Sequence, residues 1–171
     1  MPVAAKHPEK KKLRSIKLLL LDVDGVMTDG GMYFSERGDE LKKFNIHDGY
    51  GIVKLQKSGV KVGILTGRSS QLVARRAQEL GIVEVYQDRE NKSEAYEEIK
   101  LKLNLRDSEI AYIGDDEPDL PVMRKVAFAA CPSDATTLVR READFVCKKS
   151  GGEGAVREVV DLLLASHAHG A

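Results

Sequence analysis

Ile16-Lys17-Leu18-Leu19-Leu20-Leu21-Asp22-Val23-Asp24-Gly25-Val26-Met27 is an apolar run that stops on two acids and a glycine. A short branched run broken by Gly reads as a strand buried on both faces of a parallel sheet. Asp22 and Asp24 are two apart, so on an extended strand their side chains share a face. Carboxylates at such a place are costly unless something pairs with them. The C-terminal edge of a parallel sheet is also where open α/β folds take ligands. The pair therefore reads as a nucleophile and divalent-metal site, the alternative being a strand that runs into an Asx turn.

Working outward, a hairpin signal comes first: Met32-Tyr33-Phe34 and Leu41-Lys42-Lys43-Phe44 flank Ser35-Glu36-Arg37-Gly38-Asp39. Helices are expected over 48–58, 70–80, 93–103, near 120–124, and over 135–140 and 154–164. Strands are expected over 60–65, 83–86, 110–113, 127–130 and 144–147. This alternation implies a three-layer α/β fold, a Rossmann-like parallel sheet covered on both faces with right-handed crossovers. Only positions 25–65 separate Asp24 from Thr66, and 67–91 separate Thr66 from Lys92, so no room is left for a cap domain. The expected organisation is a basic N-terminal tail at 1–14, one capless domain at 15–165 and a C-terminal tail at 166–171.

Composition removes several classes of function. Twenty-seven Lys+Arg balance 27 Asp+Glu over 171 residues, which gives no global case for nucleic acid or an anionic membrane. Cys131 and Cys147 lack any CxxC or Cys/His spacing and suit small apolar roles in a reducing compartment. The Leu18-Leu19-Leu20-Leu21 run is too short to span a membrane, and no small-residue cleavage site follows it. A cytoplasmic protein is the default expectation.

Nearly every strand end carries one chemically capable group: Asp22 and Asp24, then Thr66, then Asp115 and Asp116, while Lys92 opens the helix after the third strand. Strand ends at one edge converge on one crevice. Asp22 and Asp115 can hold a hard divalent cation through oxygen; magnesium takes near-octahedral ligands at about 2.0–2.1 Å. The Thr66 hydroxyl and the amides of Gly67 and Arg68, at a helix N-terminus, suit phosphate oxygens. Lys92 offsets the crowded negative charge. Taken singly, Thr66 also reads as an N-cap, Lys92 as a surface lysine and Asp115-Asp116 as a turn; taken together they read as a phosphate site.

Asp22-Val23-Asp24-Gly25-Val26, Thr66-Gly67-Arg68, Lys92 and Gly114-Asp115-Asp116-Glu117-Pro118-Asp119 resemble the four motifs of the haloacid dehalogenase superfamily, in order. Within it the chain is similar to the 3-deoxy-D-manno-octulosonate 8-phosphate phosphatases. That likeness rests on residues 22–30, on His47-Asp48-Gly49-Tyr50-Gly51-Ile52, on Thr66-Gly67-Arg68-Ser69-Ser70 and on Gly151-Gly152-Glu153-Gly154-Ala155-Val156-Arg157-Glu158. The resemblance implies a magnesium-dependent phosphatase with Asp22 as nucleophile and Asp24 as general acid and then base. It implies magnesium held by Asp22, the Asp24 carbonyl and Asp115, with Asp119 orienting Lys92 and Asp116 supporting from nearby. It also implies a homotetramer in which hairpins and a neighbour's C-terminal segment line the site.

The glycines at 151, 152 and 154 fit a mobile segment of that kind, with Arg157 able to meet an anion, so truncation after Ser150 is expected to spare the fold. Arg68 is the first candidate for reading a sugar-acid carboxylate, because guanidinium pairs bidentately with it; Lys43 and His47 follow, His47 reading also as a helix-start cap. A nine-carbon sugar-acid 9-phosphate is the rival substrate, favoured less because of Arg68. Rivals from other classes are a phospho-accepting receiver domain and a catalytically idle regulatory domain. The receiver domain fits poorly, since DxDG on the first strand already combines nucleophile and acid.

Overall fold

The computed structural model describes residues 10–168. In chain order the elements are α1 (Lys10–Arg14), β1 (Leu18–Leu21), a hairpin of β2 (Tyr33–Phe34) and β3 (Glu40–Leu41), α2 (Ile46–Lys57), β4 (Lys61–Leu65) and α3 (Gln71–Glu79). Then follow β5 (Glu84–Tyr86), α4 (Lys92–Leu103), β6 (Ile110–Ile113), α5 (Leu120–Met123), β7 (Phe128–Cys131), α6 (Thr137–Glu142), β8 (Phe145–Val146) and α7 (Ala155–Ala168). Among the described residues the main sheet has six strands, ordered β5-β4-β1-β6-β7-β8, all parallel.

Strand β1 is the centre of this sheet and all four of its leucines are fully buried. Its side chains alternate between two cores, as strand geometry requires. Leu19 and Leu21 join Ile52, Leu55, Val73, Val156, Val159 and Val160, which come from α2, α3 and α7. Leu18 and Leu20 join Ala95, Tyr96, Ile99, Val122 and Val139, which come from α4, α5 and α6. Each buried leucine stabilises the fold by about 1.5–3 kcal/mol, so the strand that carries Asp22 is among the best anchored in the molecule. Chain order reverses at β1, with β4 and β5 on one side and β6 to β8 on the other. That is the switch point at which a crevice opens beyond the strand ends.

The hairpin lies outside the main sheet, joined at its foot by a bridge between Thr28 and Phe44. Its Met32, Tyr33, Phe34 and Leu41 are exposed. It is a flap after β1, and among the described residues no cap domain stands beside it.

Three expectations need correction. Residues 10–14 are helical rather than a solvated tail: Leu13 is buried, and the Ser15 hydroxyl donates to the carbonyls of Lys12 and Ser108. The remainder of that basic lead, 1–9, lies outside the described residues. The last helix runs to Ala168 rather than ending at 164, with Ser166 buried and the His167 ring on the Leu13 carbonyl; residues 169–171 lie outside the described residues. Finally, Gly151 and Gly152 are buried, and α7 supplies core residues Val156, Val159, Val160 and Leu163. Truncation after Ser150 therefore removes part of the core and does not spare the fold.

Candidate active site

Asp22 ends β1 with its amide donating to the Ile113 carbonyl of β6 at 3.0 Å. The chain then turns over the Val23 carbonyl, which accepts from the amides of Val26, Met27 and Thr28. The buried Thr28 hydroxyl accepts from the Gly25 and Gly30 amides and closes the turn. Gly25 has φ +86°, and a Cβ there would lie 2.1 Å from Asp115 Oδ2. Only glycine lets the first acidic loop approach the second this closely.

Lys92 is the first residue of α4, whose cap is Asn91. Its side chain is 5% exposed, and the ammonium lies 2.9 Å from Asp22 Oδ1 and 2.6 Å from Asp119 Oδ1. The Tyr112 hydroxyl donates to the same Asp119 oxygen at 2.6 Å. Asp119 Oδ2 accepts the amides of Asp115 and Asp116 at 2.9 and 3.2 Å. Both oxygens of Asp119 are thus engaged. It orients Lys92 and ties the Asp115 loop to β6. Tyr112 is a site residue that the sequence reading missed, because its position in an apolar strand made it look like plain core.

Asp22, Asp115 and Asp119 offer oxygens that all lie within 4.8 Å of one another. Burial, then the charge of Asp119, pushes the Asp22 carboxyl up to about 6, against the pull of Lys92. Burial, then Asp22, Asp119 and Asp116, pushes Asp115 up to about 8. Burial alone would lower Lys92, but the neighbouring Asp22 and Asp119 hold it above its ordinary value. Crowded carboxylates destabilise one another unless a cation is shared between them. With Asp119 already committed, Asp22 and Asp115 are the oxygens left for a hard divalent ion, and the donor set fits one.

Thr66 is buried at the end of β4, its amide on the Tyr86 carbonyl and its carbonyl on the Arg89 amide. A Cβ on Gly67 would meet nothing nearer than 3.9 Å, so this turn is open to a ligand. The Asp24 Oδ1 accepts from Lys42 Nζ at 2.5 Å. Lys42 was not singled out in the sequence; fold-back of the flap is what brings it in. Arg68 donates to Met32 Sδ at 2.8 Å and to Glu40 Oε1 at 3.2 Å, one on each arm of the flap.

The remaining expected residues fall elsewhere. Asp116 is exposed and accepts the Glu117 amide. Lys43, exposed, pairs with Glu153. His47 is exposed and does not cap α2; Asn45 does, accepting the amides of His47 and Asp48. Arg157 pairs with Asp161 at 2.9 Å and lies over the Tyr50 ring, so within its own chain it is committed to packing α7 on α2.

A central strand ending in an aspartate pair, with a threonine, a buried lysine and a second acidic loop on the neighbouring elements, defines a haloacid dehalogenase-like hydrolase. The profile of the haloacid dehalogenase-like hydrolases matches residues 52–126. The 3-deoxy-D-manno-octulosonate 8-phosphate phosphatase KdsC of Salmonella typhi is 48% identical over 153 residues, 90% of this chain and 81% of the relative. The structure of that phosphatase from Yersinia pestis superposes with a TM-score of 0.91 at 44% identity, over 93% of this chain and 86% of the other. The Moraxella catarrhalis phosphatase, in complex with a magnesium ion, a phosphate ion and a KDO molecule, also gives 0.91, at 40% identity, over 94% and 92% of the two chains. The chain belongs to the KdsC family of haloacid dehalogenase-like phosphatases.

Proposed function

We propose that this chain is a magnesium-dependent phosphatase that releases phosphate from 3-deoxy-D-manno-octulosonate 8-phosphate, in lipopolysaccharide precursor synthesis. The observation that carries the reading is the Asp22–Lys92–Asp119 cluster at the switch point of the sheet, in a chain that belongs to the KdsC family. Asp22 attacks phosphorus and takes the phosphoryl group as an aspartyl phosphate. Asp24 gives a proton to the departing sugar oxygen, then takes one from the water that hydrolyses the acyl phosphate. One carboxylate thereby serves as acid and then base, and covalent catalysis divides a hard displacement into two easier steps.

Lys92 holds Asp22 in place and offsets the charge that develops on the phosphoryl oxygens. The Thr66 hydroxyl and the amides of Gly67 and Arg68 receive those oxygens. Asp22 and Asp115, with the Asp24 carbonyl, would hold magnesium, which supplies charge neutralisation at the phosphoryl group. The same reading takes the working form to be a homotetramer acting in the cytoplasm. The exposed apolar side chains of Met32, Tyr33, Phe34 and Leu41 support association through the flap. Among the described residues no helix is long and apolar enough to cross a membrane.

The test is magnesium-dependent phosphate release from the octulosonate ester, from nine-carbon sugar-acid 9-phosphates and from hexose phosphates, with Asp22→Asn as control. Strong preference for the octulosonate ester, lost in the variant, is the expected result. Activity on the nine-carbon esters alone would keep the chemistry and replace the substrate.

A further inference from the structure

We infer that Lys42 is the positioning residue of the general acid: its ammonium fixes one oxygen of Asp24 and leaves the other to carry the working proton. This rests on the acid–base role proposed for Asp24. Lys42 Nζ donates to Asp24 Oδ1 at 2.5 Å, and among the described residues no other group bonds that carboxylate. The Lys42 side chain is 3% exposed, whereas that of its neighbour Lys43, paired with Glu153, is 55% exposed. A lysine is rarely buried unless anions meet it, because an unpaired ammonium out of water is strongly disfavoured. Here the anions are Asp24 and, at 3.2 Å, Glu40 Oε1. The charge-assisted bond to Asp24 is therefore a strong one.

The foot of the flap sets this contact. Thr28 and Phe44 form the bridge that joins the arm bearing Lys42 to the loop bearing Asp24. Thr28 is buried, and its hydroxyl holds the Gly25 and Gly30 amides of that loop. Lys42 and Asp24 thus meet just beyond a fixed junction, and the exposed turn at 36–39 has no part in their spacing.

The chemistry needs such a hold. A free carboxylate on a loop turns among several side-chain wells, while a reacting group works only within about 0.5 Å of its productive place. In the first half-reaction an Asp22 oxygen bonds to phosphorus as the ester P–O bond breaks. The electron pair of that bond goes to the sugar oxygen, which takes the proton from Asp24 Oδ2. Asp24 is then a carboxylate, and the ammonium on Oδ1 offsets the charge that appears there. In the second, a water oxygen bonds to phosphorus and its proton passes to Oδ2. The Asp22–phosphorus bond breaks, and its pair returns to Asp22.

An ester whose leaving group departs without a proton separates this role from mere support of the flap. First-turnover kinetics of the full chain with magnesium compare p-nitrophenyl phosphate, which needs no acid, with the sugar ester the wild type hydrolyses, which does. The variants are Lys42→Met, Lys42→Arg and Glu40→Gln, with Asp24→Asn as reference. Lys42→Met should slow transfer from the sugar ester about 10²-fold, while release of p-nitrophenolate stays within about threefold of wild type. That release also reports a folded chain with a working nucleophile. Lys42→Arg should keep most of the wild-type rate on the sugar ester, since a guanidinium can also donate to Oδ1. Glu40→Gln should leave the ratio of the two rates unchanged. If circular dichroism shows Lys42→Met to be unfolded, Lys42→Gln takes its place in every comparison. Equal losses on both esters, or the same selective loss in Glu40→Gln, would make Lys42 a strut for the flap and overturn the inference. A selective loss in Asp24→Asn that Lys42→Met does not share would overturn it alone and leave the acid–base reading standing. Equal losses on both esters in Asp24→Asn would defeat the two together.

Discussion

Gly151 stands so close to Gly25 that a Cβ on Gly151 would lie 1.9 Å from the Gly25 carbonyl oxygen. Beside it, the Gly152 amide donates to the Val26 carbonyl at 3.1 Å, and Asn45 holds the Gly152 carbonyl. The segment before α7 is therefore a fixed wall behind the nucleophile loop. Gly151→Ala must push that loop toward Asp115. Overpacking of this sort costs about 1–3 kcal/mol, and a displacement near 1 Å at a reacting group costs about 10²-fold in rate. Thermal unfolding with turnover should show a modest loss of stability and a loss of rate near that size.

Asp24→Asn should keep fold and metal response while lowering turnover by about 10²–10⁴-fold, the usual worth of a positioned acid–base group. Phosphate release under saturating substrate is the measurement. Near-normal hydrolysis would remove Asp24 from that role.

Asp48 predicts an unusual dependence of stability on pH. It is buried, accepts the Arg157 amide at 2.8 Å and the Gly154 amide, and so caps α7 from α2. Its Oδ2 has no hydrogen-bond partner. Burial pushes the carboxyl up to about 6 from 3.8, against these amides. Between those values the folded chain binds the proton and the unfolded chain does not. The contribution is thus fully present below about 3.8 and lost as pH rises through about 6, a difference of about 3 kcal/mol. Asn in its place keeps an acceptor oxygen without the charge. Urea unfolding at pH 4.5 and 7.5 should show Asp48→Asn gaining stability mainly at the higher pH. A variant that loses more stability at 7.5 than at 4.5 would show that Asp48 is a stabilising anion in the fold.

Magnesium should stabilise the protein through Asp22 and Asp115. At one hundred times its dissociation constant a bound ligand adds about 2.7 kcal/mol, or about 5–10 °C in Tm for a chain of this size. Asp115→Asn should abolish most of that shift. A full shift in the variant would put the ion elsewhere.

Much of the site was legible because each motif sits where an apolar run ends, and run ends survive small errors in element boundaries. Asp22, Thr66 and Asp115 could all be read in that way, while the partnership of Lys92 with Asp119 came only from the family resemblance. What escaped reading depended on contacts between distant elements. Lys42 looks no different from Lys43 in a hairpin arm; only the fold-back sends one to Asp24 and the other to Glu153. Tyr112 hides a working hydroxyl inside an apolar strand. Asp48 lies inside α2, so nothing nearby in sequence signals that it caps another helix. The glycines at 151 and 152 resemble a hinge by composition, yet they are small because the Gly25–Asp29 backbone presses against them.

The nucleophile hangs from a strand whose four leucines are fully buried, whereas the flap's strands are two residues each and lie outside both cores. The nucleophile and the flap above it are thus carried by parts of very unequal mutational tolerance. Replacements along β1 threaten the whole fold, while replacements at the exposed flap positions reach neither core. The flap is thus the part next to the site where substitutions can accumulate without loss of the fold.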